Sequence, residues 1–151
     1  MVKRLLLWGA GALAVAFVVA QLVPYGRNHA NPPFVAEPSW DGPQTRALAV
    51  RACYDCHSNE TKWPWYSNVA PLSWLAQRDV DEGRATLNFS DIAATPEGAE
   101  EAGEQLEEGE MPPLQYVLLH PSAKLSGAER QVLLQGLAAT FGLKLSAEEK
   151  E

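Results

Sequence analysis

Residues 53–57 read Cys-Tyr-Asp-Cys-His, and this pentapeptide constrains the fold more than any other segment of the chain. Two thiols separated by two residues, with a histidine directly after the second, form the signature of covalent haem c attachment. In that chemistry Cys53 and Cys56 bond to the vinyl groups of one haem, and His57 becomes the proximal ligand of the iron. The chain has no other cysteine. The motif therefore predicts one covalently bound haem c.

Other uses of the cysteine pair fit less well. A redox dithiol of the thioredoxin type follows a strand in a βαβ unit, whereas the flanking sequence here has helical patterns. A zinc site needs a fourth ligand, and neither His29 nor His120 lies at a zinc-finger spacing from the cysteines. A local disulfide would leave His57 without a role. Disulfide, dithiol and metal site remain alternatives to haem attachment.

The N-terminal segment predicts a membrane anchor. Lys3 and Arg4 precede residues 5–23, which contain no charged side chain and are long enough to span a bilayer as one helix. The positive charges keep the N-terminus in the cytoplasm. A cleaved signal peptide is the alternative, because residues 18–20 could serve as a small-residue cleavage site, but the apolar run continues past them. We predict a single-pass protein of the inner membrane with its C-terminal domain in the periplasm.

Composition divides the chain into five parts. These are a cytoplasmic N-terminus, a transmembrane anchor, a proline-rich linker, a haem c-binding domain and a charged tail, at residues 1–4, 5–23, 24–43, 44–142 and 143–151. The linker holds five of the 11 prolines, which predicts a semi-extended tether. His29 lies in this tether and is therefore expected to be solvated rather than to act as a ligand.

The part of the chain outside the membrane is acidic. From residue 31 onward, 19 Asp and Glu stand against 9 Lys and Arg, a net charge of −10. This argues against a nucleic-acid partner, whose phosphates would be repelled, and against a second contact with an anionic lipid surface. A redox partner protein with a basic docking face would complement the charge, and solubility alone is the other explanation.

Four helices and no strand are predicted in the domain. They cover about residues 44–53, a stretch beginning near 71, residues 95–109 and residues 126–142. Ser126 with Glu129 three residues later forms a capping box at the start of the last helix, and Gly142 ends it. A haem motif at the end of a first helix and a closing amphipathic helix resemble the class I cytochrome c fold. We predict an all-α domain around one haem, preceded by a single transmembrane helix.

Met111 is the predicted distal ligand of the iron. Of the two methionines, Met1 lies on the cytoplasmic side of the membrane, whereas Met111 follows the third helix in a Gly-Glu-Met-Pro-Pro segment. The two prolines cannot continue a helix and favour an extended backbone at Met111. Alternatives are a methionine that only packs against the haem edge, ligation by His120, and an open sixth site. His120 precedes a proline, a pattern more typical of a turn.

Aromatic and basic residues follow the motif. Trp63, Trp65, Tyr66 and Trp74 could cover a flat cofactor, with their polar groups bonded to its propionates, although ordinary core packing explains each ring equally well. Lys62, Arg78 and Arg84 could pair with the propionates.

Several segments of the chain resemble a bacterial family described as a haem-binding domain. They are CYDCHSNETKWPWYS (53–67), APLSWL (70–75), LNFS (87–90), GEMPP (109–113) and LLHP (118–121). Family members look like small, often membrane-tethered c-type haem proteins. The resemblance implies haem ligation through Cys53, Cys56 and His57, and it strengthens the case for Met111. It supplies no reaction, and Ile92 stands where the family pattern has an aromatic residue.

Together these patterns predict a membrane-anchored, mono-haem c-type cytochrome that carries electrons outside the cytoplasm. No acid–base pair or nucleophile triad indicates an enzyme. One alternative is a haem-based sensor or small peroxidase-like protein with a labile distal ligand. Another is a haem-bearing subunit of a larger complex, which would dock through the acidic helix at residues 97–110.

Overall fold

The computed structural model describes residues 1–95 and 97–144, and the regular elements within them are helical. The α-helices are α1 (Val2–Ala20), α2 (Pro43–Ala52), α3 (Tyr54–His57), α4 (Leu72–Thr86), α5 (Gly98–Glu108), α6 (Leu114–Leu119) and α7 (Gly127–Phe141). Short 3₁₀-helices lie at Trp65–Asn68, Ile92–Ala94 and Pro121–Ala123. The β-pairing in the described residues is one isolated bridge between Ala36 and Asp91. The predicted all-α fold, with one apolar helix at its N-terminus, is confirmed.

The four predicted domain helices are present with small shifts at their ends. α2 and α4 begin within about one residue of the predicted positions, whereas α5 begins at Gly98 rather than at Thr95. The predicted first-turn proline of α5, Pro96, lies outside the described residues. The capping box of α7 is confirmed, because Ser126 Oγ accepts from the Glu129 amide (3.2 Å) and Glu129 Oε2 accepts from the Ser126 amide (2.8 Å). The pattern missed α3 and α6, whose 4 and 6 residues are too few for a helical period.

Contacts along the chain define two compact units. The first unit comprises Met1–Ala30 and Trp63–Asp79, and the second comprises Asn31–Lys62 and Val80–Glu151. Helix α4 therefore begins in the first unit and ends in the second. The predicted tail, residues 143–151, is described only for its first two residues.

The first unit contains the apolar helix α1. Its 19 residues have the length and composition of a membrane span, none of them is buried, and a signal sequence near an N-terminus has the same features. The helix begins and ends three residues earlier than the predicted segment 5–23. The turn continues through Val23, whose amide bonds the Ala20 carbonyl, and Pro24 cannot continue a helix.

The core of the second unit is built where α2, α3, α5 and α7 meet the loop after α4. Its buried apolar side chains include Leu48, Ala49, Tyr54, Leu87, Phe89, Leu106, Leu133, Leu134 and Leu137. Helices α2 and α7 approach closely at Gly136, where a Cβ atom would overlap the side chain of Thr45. This contact packs α7 against α2, the helix that leads into the cysteine motif.

The second half of the proline-rich linker is attached to the second unit. The amides of Val35 and Ala36 both donate to the carbonyl of Ser90 (2.9 and 3.0 Å). Glu37 accepts hydrogen bonds from Arg46 (2.6 and 2.7 Å) and from the Tyr54 hydroxyl (3.0 Å). The Arg46 guanidinium lowers the pKa of Glu37 against the opposing effect of burial. The segment is extended, as predicted, but these bonds fix it to the domain.

Candidate functional site

The cysteine motif forms a single helical turn at the end of α2. Cys53 ends α2, and its carbonyl accepts from the amides of Cys56 (3.1 Å) and His57 (2.9 Å), so that α3 begins at once. A helical turn places residues three and four positions apart on one face. The turn therefore brings Cys53, Cys56 and His57 together, and the two cysteines are half-buried and not joined in a disulfide.

His57 is oriented through one nitrogen of its ring. Its Nδ1 lies 3.1 Å from the carbonyl oxygen of Leu87, which can only accept, so Nδ1 carries the proton. Nε2 is then the nitrogen with the lone pair, and this tautomer is the one that ligates a metal. Burial lowers the pKa of His57, against smaller opposing contributions from its backbone hydrogen bonds. The imidazole is therefore neutral at neutral pH, as a ligand must be.

The surroundings of the thiols argue against two of the alternatives. Burial raises the pKa of Cys53 to about 12, with a smaller contribution from Cys56, whereas a redox dithiol needs a depressed thiol pKa. Within residues 1–95 and 97–144, no group of three or more His, Cys, Asp or Glu side chains could hold a metal ion by itself. Among these residues, the cysteine pair therefore has too few clustered ligands for a zinc site.

The loop after α4 holds the motif from the other side. The carbonyl of His57 accepts from the Phe89 amide at 2.8 Å, two residues from the Leu87 carbonyl that orients the His57 ring. The Asn59 amide donates to Ser90 Oγ (3.0 Å), and Asn88 Nδ2 donates to Asn59 Oδ1 (2.9 Å). In the sequence, this loop was noted only as part of the family resemblance. Its backbone hydrogen bonds to His57 do not depend on which side chains it carries, so the sequence pattern could not predict them.

Arg84 connects α4 to the segment that follows the motif. Its guanidinium donates to the carbonyl of Ser58 (2.7 Å), to Asn31 Oδ1 (2.9 Å) and to Thr61 Oγ1 (2.9 Å). The sequence predicted a propionate partner at this position. These bonds position the chain that leaves His57, and the suggested pairing of Arg84 with a propionate stays a prediction.

Gly83 lets α4 lie directly against the motif. A Cβ atom at this position would stand 2.6 Å from the carbonyl oxygen of Cys56 and 3.0 Å from its Cβ. The obstacle is largely backbone, which cannot swing aside as a flexible side chain can. Position 83 therefore sets how closely α4 approaches the second cysteine.

Gly83→Ala is expected to destabilise the protein by about 1–2 kcal/mol, because overpacking outweighs the gain in helix propensity. Thermal unfolding of the holoprotein measures the effect. The matched control is Gly103→Ala within α5, where the nearest atom, Leu143 Cδ1, is at an ordinary 3.6 Å. That variant should be as stable as the parent or more so. Equal midpoints for the two variants would show that α4 has room to shift.

Met111 lies on a separate loop after α5. Gly109 ends α5 in the left-handed region (φ 82°), and the Met111 amide donates to the Gln105 carbonyl at 3.2 Å. Arg130 of α7 donates to the Met111 carbonyl (3.3 Å) and to that of Leu106 (2.8 Å). Both polar groups of the Met111 backbone are thus hydrogen-bonded, and the residue is half-buried.

Helix α6 joins this loop to the cysteine motif. The Tyr116 hydroxyl donates to Asp55 Oδ2 at 2.6 Å, and Asp55 Oδ1 accepts from the Lys62 amide at 3.0 Å. Asp55 lies between the two cysteines, and sequence reasoning gave it no role. The ring of His120 stacks on Tyr116 (centroids 4.2 Å apart), and its Nδ1 lies 3.1 Å from the Tyr116 carbonyl. His120 therefore closes the end of α6, in agreement with the turn predicted at this position.

The tryptophan-rich segment, residues 63–74, belongs to the first unit. Trp63 stacks on His29 with ring centroids 4.8 Å apart, and His29 Nε2 is within hydrogen-bond distance of Ser67 Oγ (2.9 Å). The expectation that His29 is solvated is therefore wrong, because stacking and hydrogen bonding hold its ring. Trp65 is 79% exposed, and the buried indole nitrogen of Trp74 has no hydrogen-bond partner among the described residues.

The family model of the haem-binding domain matches residues 15–139. This chain belongs to the haem-binding domain family. The match covers every motif quoted for the resemblance, including the cysteine turn, the loop after α4 and Met111. No curated protein sequence and no solved structure matches the chain.

The haem-binding domain has residues that fit its cofactor. One turn presents two cysteines that are not joined in a disulfide and a neutral imidazole whose Nδ1 is already bonded, which is the donor set that covalent haem attachment requires. Cys53 and Cys56 would hold the porphyrin, and His57 would ligate the iron. Met111 is separate from that turn and is linked to it through α6.

Proposed function

We propose that this protein is a membrane-anchored, mono-haem c-type cytochrome that carries electrons on the periplasmic side of the inner membrane. Haem c is attached through Cys53 and Cys56, His57 is the proximal ligand and Met111 the distal ligand. Bound haem supplies one-electron transfer, and the chain sets its reduction potential through the axial ligands, burial and nearby charge.

The observation that carries the proposal is the hydrogen bond between His57 Nδ1 and the Leu87 carbonyl. It leaves Nε2 as the nitrogen available to a metal, beside two cysteines that are not joined in a disulfide, in a residue whose burial keeps it neutral. The same segment holds the His57 carbonyl through the Phe89 amide. A ligand held at both its ring and its backbone moves little when the charge on the iron changes, and this suits an electron carrier.

Distal ligation by Met111 is supported by the way its loop is held. The backbone of Met111 is bonded to Gln105 and Arg130, so the thioether projects from a fixed point. His120 stacks on Tyr116 and its Nδ1 lies near the Tyr116 carbonyl, an arrangement that leaves Nε2 available as in His57, so His120 stays the alternative distal ligand. A filled coordination shell favours a carrier over a sensor or a peroxidase-like catalyst, and no catalytic acid–base pair is proposed.

The proposed location and partner rest on the N-terminal helix and on charge. Helix α1 would cross the inner membrane and leave the second unit in the periplasm, where haem c is attached. The net charge of −10 beyond residue 30 favours a redox partner with a basic docking face and disfavours nucleic acid. The exposed glutamates of α5 also suit docking as a subunit of a larger complex.

Covalent attachment is tested on the wild-type holoprotein. Acid denaturation followed by extraction with organic solvent should leave the haem with the polypeptide, because thioether bonds survive unfolding. Mass spectrometry of the fragment containing residues 52–62 should show the added mass of one haem. Haem that partitions into the solvent would contradict c-type attachment while leaving haem binding itself intact.

A further inference from the structure

We infer that the segment at residues 63–75 is a second membrane contact, in which Trp65 and its apolar neighbours lie in the phospholipid headgroup layer of the bilayer that α1 crosses. The inference rests on the proposed anchoring role of α1. It identifies lipid, rather than another protein, as the partner of this surface.

The end of α1 is bonded directly to this segment. Gln21, the residue after the helix, donates from Nε2 to the Ala70 carbonyl (2.9 Å), and its Oε1 accepts from the Ala70 amide (3.1 Å). Arg27 donates to the same Oε1 at 2.9 Å. A two-way bond between one side chain and one backbone unit fixes both position and orientation. The segment is therefore held at the level where the apolar helix ends.

The length of α1 sets that level. The apolar part of α1, residues 5–20, rises about 24 Å, somewhat less than the roughly 30 Å hydrocarbon core of a bilayer, so Gln21 falls near the boundary with the headgroups. Trp65 begins the 3₁₀-helix Trp65–Asn68 and precedes Ala70 by five residues. Its Cα therefore lies within about 13 Å of that of Ala70, which keeps the indole within reach of the interface.

The side chains presented by the first unit suit a membrane interface. Trp65 is 79% exposed, although an indole is normally covered in a water-soluble domain. Leu72 and Leu75, three residues apart on one face of α4, are 39% and 47% exposed, and Tyr25 is 47% exposed. Tryptophan and tyrosine concentrate at membrane interfaces because their rings are apolar and their edges hydrogen-bond water and headgroups.

The charge of the chain is unevenly divided between the units. Asp79 is the only acidic residue of the first unit, which also carries Arg27 and Arg78 beyond α1. The other acidic residues all belong to the second unit. The acidic composition that argued against a second lipid contact therefore applies to the second unit alone. The first unit meets no electrostatic barrier at a phospholipid surface.

Lipid photolabelling of the full-length holoprotein tests the inference. The protein is reconstituted into phosphatidylcholine vesicles doped with phosphatidylcholine that bears a diazirine near its headgroup. Trypsin then releases residues 5–27 from α1, residues 63–78 from the proposed contact, and residues 85–124, which carry the exposed leucines of α6. We expect lipid adducts on 5–27 and 63–78, with severalfold fewer on 85–124.

Two variants make the result specific. Trp65→Ser should reduce adducts on residues 63–78 severalfold, whereas Leu118→Ser, which removes an equally exposed side chain of the second unit, should leave them unchanged. Adducts on 5–27 without adducts on 63–78 would overturn the second contact and leave the anchor intact. Absence of adducts on 5–27 would overturn the anchor itself. An altered haem spectrum in Trp65→Ser with undiminished labelling would assign Trp65 to the haem pocket instead.

Discussion

Replacing both Cys53 and Cys56 by alanine is expected to abolish covalent haem and to remove nearly all holoprotein. In the proposed attachment, thioether bonds retain the cofactor, and a domain of this size is expected to form much of its core around the haem. Single replacements should leave one bond and a reduced amount of haem protein. Haem staining of denaturing gels measures the bound haem, and circular dichroism measures how much helix remains.

Asp55→Asn is the matched control for the cysteine variants. It changes a residue inside the same turn and keeps Oδ1 as an acceptor for the Lys62 amide, while the new Nδ2 can donate to the Tyr116 hydroxyl, which also accepts. Haem staining should be close to that of the parent. Full staining of the double cysteine variant would mean that neither sulfur attaches the haem.

Met111→Ala is expected to change the haem spectrum and potential more than any other substitution outside the motif. The weak sulfur-to-iron charge-transfer band of the oxidised protein should disappear, and carbon monoxide should bind the reduced protein readily. Loss of a thioether ligand should lower the reduction potential by on the order of 0.1 V, a fraction of the range of about 0.8 V set by axial ligands. Optical titration and carbon monoxide binding provide the measurements.

His120→Ala separates the two candidate distal ligands. It removes the ring stacked on Tyr116 but leaves the Met111 loop and its bonds to Gln105 and Arg130 in place, so the sulfur band should persist. The opposite pattern in the two variants would indicate ligation by two histidines. A wild-type protein that lacks the band and binds carbon monoxide rapidly would support the sensor or catalyst alternative.

Local features of the sequence were sufficient for the four longer helices of the domain and for nominating the three motif residues. The capping box at Ser126 and the stop at Gly142 depend on residues a few positions apart, and so does the Cys-x-x-Cys-His spacing. Helix α6 was missed because its six residues are too few to show a repeating helical pattern of apolar side chains. Its link to the motif, from Tyr116 to Asp55, joins residues 61 positions apart.

The residues that hold the cysteine motif in place were not predictable, because they act through backbone atoms or through the lack of a side chain. Leu87 orients His57 with a carbonyl oxygen that every residue possesses, and Gly83 contributes only by lacking a Cβ. Arg84 was recognised as a cation near the cofactor, but its acceptors depend on the path of the chain. The bonds that hold His29 and the linker have the same long-range origin.

The bond from His57 to the Leu87 carbonyl has a consequence for how this family can diverge. Because the acceptor is main chain, any apolar residue that fills the buried volume at position 87 keeps the imidazole partner unchanged. Natural variation and mutational scanning would therefore show at position 87 only the requirement for a buried apolar side chain. The effect of the Leu87 carbonyl on His57 would be seen in a semisynthetic protein in which an ester replaces the Leu87–Asn88 amide. The ester weakens the carbonyl as a hydrogen-bond acceptor and changes no side chain.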